Sequence, residues 1–286
     1  RALPVLPCTS QVPYPSGPMD SEPQPYFTLQ RPPRAELRGI VTRIGGYQEN
    51  GRALQGVVEA ASLVVPLIIS FGDPYSIALG RAPTTGDEYA SFTSGLYPGY
   101  VVINSTGGSA CIQIDFSPLG AYRFFGLPMK EISARMVTLG DLGDPEIALL
   151  SRRLEDLDDW SARLDLCEAF VAERLKRGPA PSAGVASAYR ELAFCHGEVR
   201  IAAIAERLDW SRKHLSQRFR EEIGISPKQL ARMFRFNRVL ALSAASARPD
   251  WAELAADCGY ADQAHLTREF AEFTGTTPTR WRPLAA

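Results

Sequence analysis

The sequence predicts an α+β multidomain protein with a β-rich amino-terminal domain, either a barrel or a sandwich, and an all-α carboxy-terminal domain. Sixteen of the 23 glycines fall between Gly39 and Gly143, among short apolar runs. Helical spacing of apolar residues begins after Asp144-Pro145 and continues to the end of the chain. An internal repeat within residues 201–282 predicts two helix-turn-helix units joined by a linker helix.

The composition of the 286 residues excludes several classes of protein. The longest apolar run, Leu63 to Ile69, is too short for a membrane span, and no secretory signal is evident. Five scattered cysteines without a C-x-x-C pair predict reduced thiols in the cytoplasm. All three histidines lie at position 196 or later, so the β-rich domain has no histidine cluster for metal catalysis. We therefore expect no catalytic residue, no metal and no cofactor.

The first two predicted segments are an arm and a β-rich domain. Residues 1–25 hold seven prolines and are predicted to be disordered. Residues 26–143 are predicted to form the β-rich domain, with strands at Ser62–Phe71, Tyr100–Asn104 and Ala110–Phe116. Turns are predicted at Gly45-Gly46, Gly72-Asp73-Pro74, Thr85-Gly86-Asp87 and Thr106-Gly107-Gly108.

The aromatic residues of this domain have two interpretations. They could fill an ordinary β-core, which is the commoner role, or line an apolar ligand pocket. The residues concerned are Tyr47, Phe71, Tyr75, Tyr89, Phe92, Tyr97, Tyr100 and Phe116.

Residues 144–178 are predicted to be a helical connector of two amphipathic helices. Asp144 is a suitable N-cap before Pro145, and the second helix stops at Gly178-Pro179. The pair could form a homodimer seam or pack on the β-rich domain, and the pattern leaves both open. Residues 185–286 are predicted to be helical throughout.

The repeat aligns two copies at an offset of 51 residues. His214, Leu215 and Phe219 of copy one correspond to His265, Leu266 and Phe270 of copy two. Each copy predicts a helix, a tight turn and a second helix, capped by Ser211 in copy one and Asp262 in copy two. The linker from Ser226 to about Ala247 would span roughly 30 Å, close to one turn of B-DNA.

The net charge of −1 is a cancellation between unlike parts of the chain. Residues 1–189 carry −4, and residues 190–286 carry +3. Residues 211–238 hold eight Lys or Arg against two acids, a concentration of positive charge that is typical of a nucleic-acid-binding surface.

The carboxy-terminal motifs resemble the AraC/XylS family of bacterial transcription regulators. Copy one carries S-x-x-H-L-x-x-x-F-x(4)-G-x-S-P, and copy two carries D-Q-x-H-L-x-R-x-F-x(4)-G-x-T-P-x-x-W-R. The resemblance covers Val185 to Arg282 and implies sequence-specific DNA binding by a seven-helix domain. Tyr260, Glu269 and Asp209 depart from the family pattern, where phenylalanine, a small or basic residue, and glycine are usual.

The resemblance also implies which residues contact DNA. Base contacts are expected from Lys213, Ser216, Gln217, Gln263, Ala264, Thr267 and Arg268, since Arg or Lys suits guanine and Gln suits adenine. Phosphate contacts are expected from Arg212, Arg220, Arg232 and Arg235. His214 and His265 are expected to pack or to contact phosphate.

The same resemblance implies a cytoplasmic regulator that recruits or blocks RNA polymerase on double-stranded operator DNA. Its amino-terminal domain, often cupin-like in the family, would be a sensor or regulatory domain that binds a small-molecule effector or forms a homodimer. Two alternatives remain from the residues: an amino-terminal domain that is a ligand-free protein-interaction module, or an enzyme fused to a DNA-binding domain. The scattered cysteines argue against a zinc-activated enzyme of that kind.

Overall fold

The computed structural model describes residues 26–246 and 248–281, so the predicted arm at 1–25 lies outside the described residues. The β-rich part contains two antiparallel sheets, ordered β1-β2-β9-β4-β7-β10 and β3-β8-β5-β6. The strands are β1 (Tyr26–Arg31), β2 (Val41–Glu49), β3 (Val57–Glu59), β4 (Val65–Ser70), β5 (Tyr75–Leu79), β6 (Glu88–Tyr89), β7 (Phe92–Ser94), β8 (Val101–Asn104), β9 (Ala110–Phe116) and β10 (Met136–Thr138).

Helices dominate the chain after β9. They are α1 (Pro118–Phe125), α2 (Leu139–Leu142), α3 (Pro145–Glu155), α4 (Trp160–Arg177), α5 (Ala183–Phe194), α6 (Ile201–Arg207), α7 (Arg212–Glu222), α8 (Pro227–Ala244), α9 (Trp251–Asp257) and α10 (Gln263–Thr274). The predicted α+β class is confirmed. The part of the chain described as far as residue 281 contains six helices after residue 182, where the resemblance implied seven.

The two sheets enclose a small apolar core. Tyr47, Ile68 and Phe92 enter it from the larger sheet, and Tyr75 and Ile77 enter it from the smaller one. Of the predicted barrel or sandwich, the two sheets correspond to the sandwich, and the rings of Tyr47, Tyr75 and Phe92 are buried in its core.

The predicted turn at Gly45-Gly46 is wrong, because both glycines lie inside β2. A Cβ atom on Gly46 would lie 2.5 Å from the ring of Trp160, the first residue of α4. Gly46 therefore lets an indole ring lie directly on the sheet, although a Gly-Gly pair in a sequence also suggests a turn. The predicted β-rich region also contains α1 and the short α2, which were not expected.

The two connector helices pack on the β-rich part. Asp144 caps α3 as predicted, accepting hydrogen bonds from the backbone N–H groups of Glu146 and Ile147. On α4, the carboxylate of Glu168 is buried and accepts hydrogen bonds from the side chains of Arg31 and Arg34. The outer face of α3 stays open, with Leu149 at 50% exposure.

One continuous apolar core links the sheets, the connector and the carboxy-terminal helices. No helix in the described residues is both long enough and apolar enough to cross a bilayer.

Candidate DNA-binding surface

Helices α6 and α7 form the first helix-turn-helix unit, defined here as residues 200–224 (unit one). The chain turns at Asp209, whose φ of +53° is unusual for a residue with a side chain. The N–H of Trp210 then donates to the carbonyl of Ala205 at 2.9 Å. Ser211 caps α7 by accepting from the N–H of His214 at 3.1 Å, as the sequence predicted.

Helices α9 and α10 form the second unit, defined as residues 250–275 (unit two), with the same local geometry. Gly259 occupies the equivalent left-handed position with φ of +70°, and the N–H of Tyr260 donates to the carbonyl of Ala255 at 2.9 Å. Asp262 caps α10 through the N–H of His265 at 2.6 Å. The repeat therefore corresponds to two copies of one backbone motif.

Both second helices bury the face that the repeat predicted. Leu215 and Phe219 of α7 are at most 1% exposed, as are Leu266 and Phe270 of α10. The opposite face of each helix points away from the core and is available to a partner. The small residue Ala205 is buried where α6 and α7 approach.

An aromatic ring precedes the second helix of each unit, α7 or α10, and contacts the histidine near the start of that helix. The rings of Trp210 and His214 lie edge to face with centroids 4.6 Å apart, and those of Tyr260 and His265 do so at 5.2 Å. The expected packing role of the two histidines is therefore observed in each copy. Among the described residues, no group of three metal-ligating side chains could hold an ion.

The predicted base-contacting residues all lie on the outward faces of α7 and α10. Five of them are exposed, and two are half-buried. The exposed residues are Lys213, Gln217, Gln263, Ala264 and Arg268, and the half-buried ones are Ser216 and Thr267. The structure thus gathers each predicted set on one helix face, and the DNA contacts themselves stay a prediction.

The predicted phosphate-contacting arginines occupy two different environments. Arg212 and Arg220 are exposed on α7, and none of the described carboxylates pairs with them. Arg232 and Arg235 of the linker helix α8 are half-buried and contact Glu269 of α10, Arg232 at 2.6 Å and Arg235 at 3.5 Å. Their predicted phosphate role stays a prediction, but their guanidinium groups already have a partner within the protein.

The buried carboxylate of Glu269 is the feature that the sequence reasoning missed. It is 3% exposed, and it accepts a hydrogen bond from the hydroxyl of Tyr260 at 2.7 Å in addition to its contacts with the two linker arginines. Burial and the neighbouring charge of Glu269 raise the pKa of Tyr260, so its hydroxyl remains a donor. Tyr260 and Glu269, which both depart from the family pattern, are therefore hydrogen-bond partners. Their departure in the same unit was the sequence signal that could have predicted this contact.

The carboxy-terminal ends of α7 and α10 both contact the β-rich part. Near the end of α7, Glu221 pairs with Lys130 at 2.5 Å. At the end of α10, the carbonyl of Phe273 accepts a hydrogen bond from the backbone N–H of Ala61 at 2.9 Å. The carbonyl of Ala61 in turn accepts from Asn237 of α8 at 3.4 Å. The two units are thus held against the same part of the molecule.

Comparison with known proteins identifies similarity in the same region. Residues 204–283 match the family described as "Helix-turn-helix domain". No curated protein is detectably similar to the chain in sequence.

Several solved structures resemble the chain. The C-terminal domain of AraT, a response regulator from Geobacillus stearothermophilus, is 25% identical, covering 36% of this chain and 85% of its own, with a TM-score of 0.33. ToxT from Vibrio cholerae is 9% identical, covering 90% and 97%, with a TM-score of 0.44. The AraC-like transcriptional activator CuxR is 15% identical, covering 78% and 95%, with a TM-score of 0.24. These superpositions are too weak to transfer the role of any residue.

Proposed function

Residues 204–283 are an AraC-type helix-turn-helix domain, and from this premise we propose that the protein regulates transcription by binding double-stranded operator DNA sequence-specifically. The observation that supports this most strongly is the duplicated motif, in which α7 and α10 each bury one face in the core and turn the opposite face outward. A helix-turn-helix motif places its second helix in the major groove, where the outward side chains meet base edges.

We assign base reading to the outward residues of α7 and α10. The Arg268 guanidinium and the Lys213 ammonium would donate to guanine, and the amides of Gln217 and Gln263 would pair with adenine. Arg212 and Arg220, exposed on the first recognition helix, would contact phosphates and provide affinity without sequence choice.

The test of this proposal is selection of bound sequences from a random duplex pool at moderate salt. The expected result is an enriched motif, and Arg268→Ala should weaken binding to it by roughly 1–3 kcal/mol while relaxing preference at one position. Enrichment of no motif by the purified full chain would refute the proposed function. Equal weakening on every duplex would refute base reading by Arg268.

The β-rich part is proposed to control DNA binding through a small molecule or a partner. Its contacts with the ends of both recognition helices, through Lys130 and Ala61, support that role. Candidate metabolites should then shift both the thermal midpoint and the affinity for the selected duplex. Stabilisation without a change in DNA affinity would contradict control, and a protein partner with the same effect would favour the interaction-module alternative.

Dimerisation and contact with RNA polymerase belong to the same proposal. The outer face of the connector helices, around the half-exposed Leu149, is the proposed homodimer seam. Sedimentation of the full chain should show a dimer that Leu149→Glu converts to a monomer. A monomeric wild-type protein at micromolar concentration would overturn this assignment.

A further inference from the structure

We propose that the two helix-turn-helix units contribute unequally to DNA binding: unit one provides most of the electrostatic affinity, and unit two reads sequence from a surface that on balance repels phosphate. The inference rests on the proposed function and adds a division of roles between the duplicated units.

The outward faces of the two recognition helices differ in charge at equivalent positions. Arg212, Lys213 and Arg220 of α7 correspond to Gln263, Ala264 and Ala271 of α10. The single cation on the outward face of α10 is Arg268, which corresponds to Gln217. Three cations therefore face outward from unit one and one from unit two.

The whole units differ in the same direction. Unit one has six basic and four acidic residues, a net charge of +2, whereas unit two has one basic and six acidic residues, a net charge of −5. On α9 and its N-cap, Asp250, Glu253 and Asp257 are all exposed. No cation of the described residues forms a salt bridge with these three carboxylates, so their charges act on any approaching polyanion.

The arginines of the linker helix do not offset this excess of acid. Arg232 pairs with Glu269 and Glu272 of unit two at 2.6 and 2.5 Å, and Arg235 contacts the first of these carboxylates. Arg238 pairs at 2.5 Å with Glu198, a carboxylate outside both units that lies beside Gly259 of unit two. The arginines of α8 therefore neutralise the buried Glu269 and the exposed Glu272, and they form no salt bridge with the exposed Asp250, Glu253 and Asp257.

Contacts within the protein hold unit two in position, although its net charge does not attract DNA. The end of α10 is tied to Ala61 through the carbonyl of Phe273, and its middle is tied to α8 through Glu269. Unit two is thus presented in a fixed position before DNA arrives. A preorganised reader needs less attraction of its own, because binding costs less ordering entropy.

The magnitude follows from counterion release. Each phosphate neutralised by a cation adds about 0.9 to the slope of log affinity against log salt. Loss of Arg212 and Arg220, the proposed phosphate contacts, should lower that slope by about 1.8, loss of Lys213 with them should add at most about 0.9, and loss of Arg268 should lower it by about 0.9 at most. The difference is large enough to measure by fluorescence anisotropy.

The experiment uses the full chain and two probes, a 30-bp duplex of mixed sequence and the duplex selected from a random pool. The loss variants are Arg212→Gln/Lys213→Gln/Arg220→Gln in unit one and Arg268→Gln in unit two. The gain variant, Ala264→Lys/Ala271→Arg, gives unit two the cations that unit one carries at two of the three equivalent positions. Unchanged thermal midpoints serve as the folding control, since most of these side chains are exposed.

The triple variant should lower the salt slope by about 1.8 to 2.7 and weaken binding to the mixed-sequence probe at least about tenfold at 0.1 M salt. Arg268→Gln should change that binding by less than about threefold and act mainly on the selected duplex. The gain variant should tighten mixed-sequence binding. Equal slope changes from the triple variant and Arg268→Gln, or no effect of the gain variant, would overturn the inference. Failure of the wild-type protein to select any sequence would instead overturn the proposed function.

Discussion

Replacing Tyr260 with phenylalanine removes a single hydroxyl group that, within unit two, holds the buried carboxylate contacted by the linker arginines. That hydroxyl donates to Glu269 at 2.7 Å, and the two residues are 6% and 3% exposed. A hydrogen bond to a charged group contributes about 1.5–3 kcal/mol to stability. We therefore expect Tyr260→Phe to lower the free energy of unfolding by about 2 kcal/mol.

A double-mutant cycle measures the coupling energy between Tyr260 and Glu269 directly. Glu269→Ala leaves Arg232 and Arg235 without their shared carboxylate, a loss of about 3 kcal/mol, since both arginines are part-exposed and Arg232 keeps Glu272. It also leaves the hydroxyl of Tyr260 buried without its acceptor. Removing that hydroxyl in the Glu269→Ala background should then cost almost nothing, which gives a coupling energy of about 2 kcal/mol.

The assay is urea unfolding of the full chain, followed by circular dichroism, for the wild type, both single variants and the double variant. Tyr100→Phe is the matched control, because its hydroxyl donates at 2.7 Å to the uncharged carbonyl of Gly80. The control should cost about 1 kcal/mol. Additivity of the Tyr260 and Glu269 changes to within about 0.5 kcal/mol would refute the paired role.

Three further predictions concern stability and reactivity. Asp209→Gly should raise the free energy of unfolding by about 1 kcal/mol, because φ is +53° there; a fall in the denaturation midpoint would contradict this. Gly46→Ala should cost about 1–3 kcal/mol, since its Cβ would meet an indole ring at 2.5 Å, whereas Gly86→Ala, with open space around it, should change nothing; equal effects would count against the packing argument. Burial raises the pKa of the Cys167 thiol to about 12, so at pH 8 iodoacetamide should label the half-buried Cys195 before Cys167, as followed by mass spectrometry, and earlier labelling of Cys167 would disagree with its burial.

The parts of the fold that depend on local sequence were predictable. Ser211 and Asp262 were identified as N-caps because an N-cap needs only a short polar side chain within three residues of its target amide. The buried faces marked by Leu215 and Leu266 followed from helical spacing for the same reason.

The parts that depend on distant residues were not predictable. Gly46 looked like a turn residue because the ring of Trp160, 114 positions later, was not visible in the local pattern. Arg232 and Arg235 looked like free cations because the carboxylate of Glu269 lies more than 30 residues away in sequence. The order of strands in each sheet also depends on such long-range pairings, which composition and periodicity do not encode.

The tie between Ala61 and the helices around it is made entirely by its main chain. Its N–H donates to Phe273, and its carbonyl accepts from Asn237. Side-chain replacement at position 61 leaves both of its backbone groups in place, whereas Asn237→Ala would remove the side-chain donor of one of the two hydrogen bonds. Ala61→Pro is the standard substitution that deletes the donor, because proline lacks a backbone N–H. Because Ala61 is 3% exposed in the core, we expect only small side chains at this position to preserve both hydrogen bonds between the β-rich part and the carboxy-terminal helices.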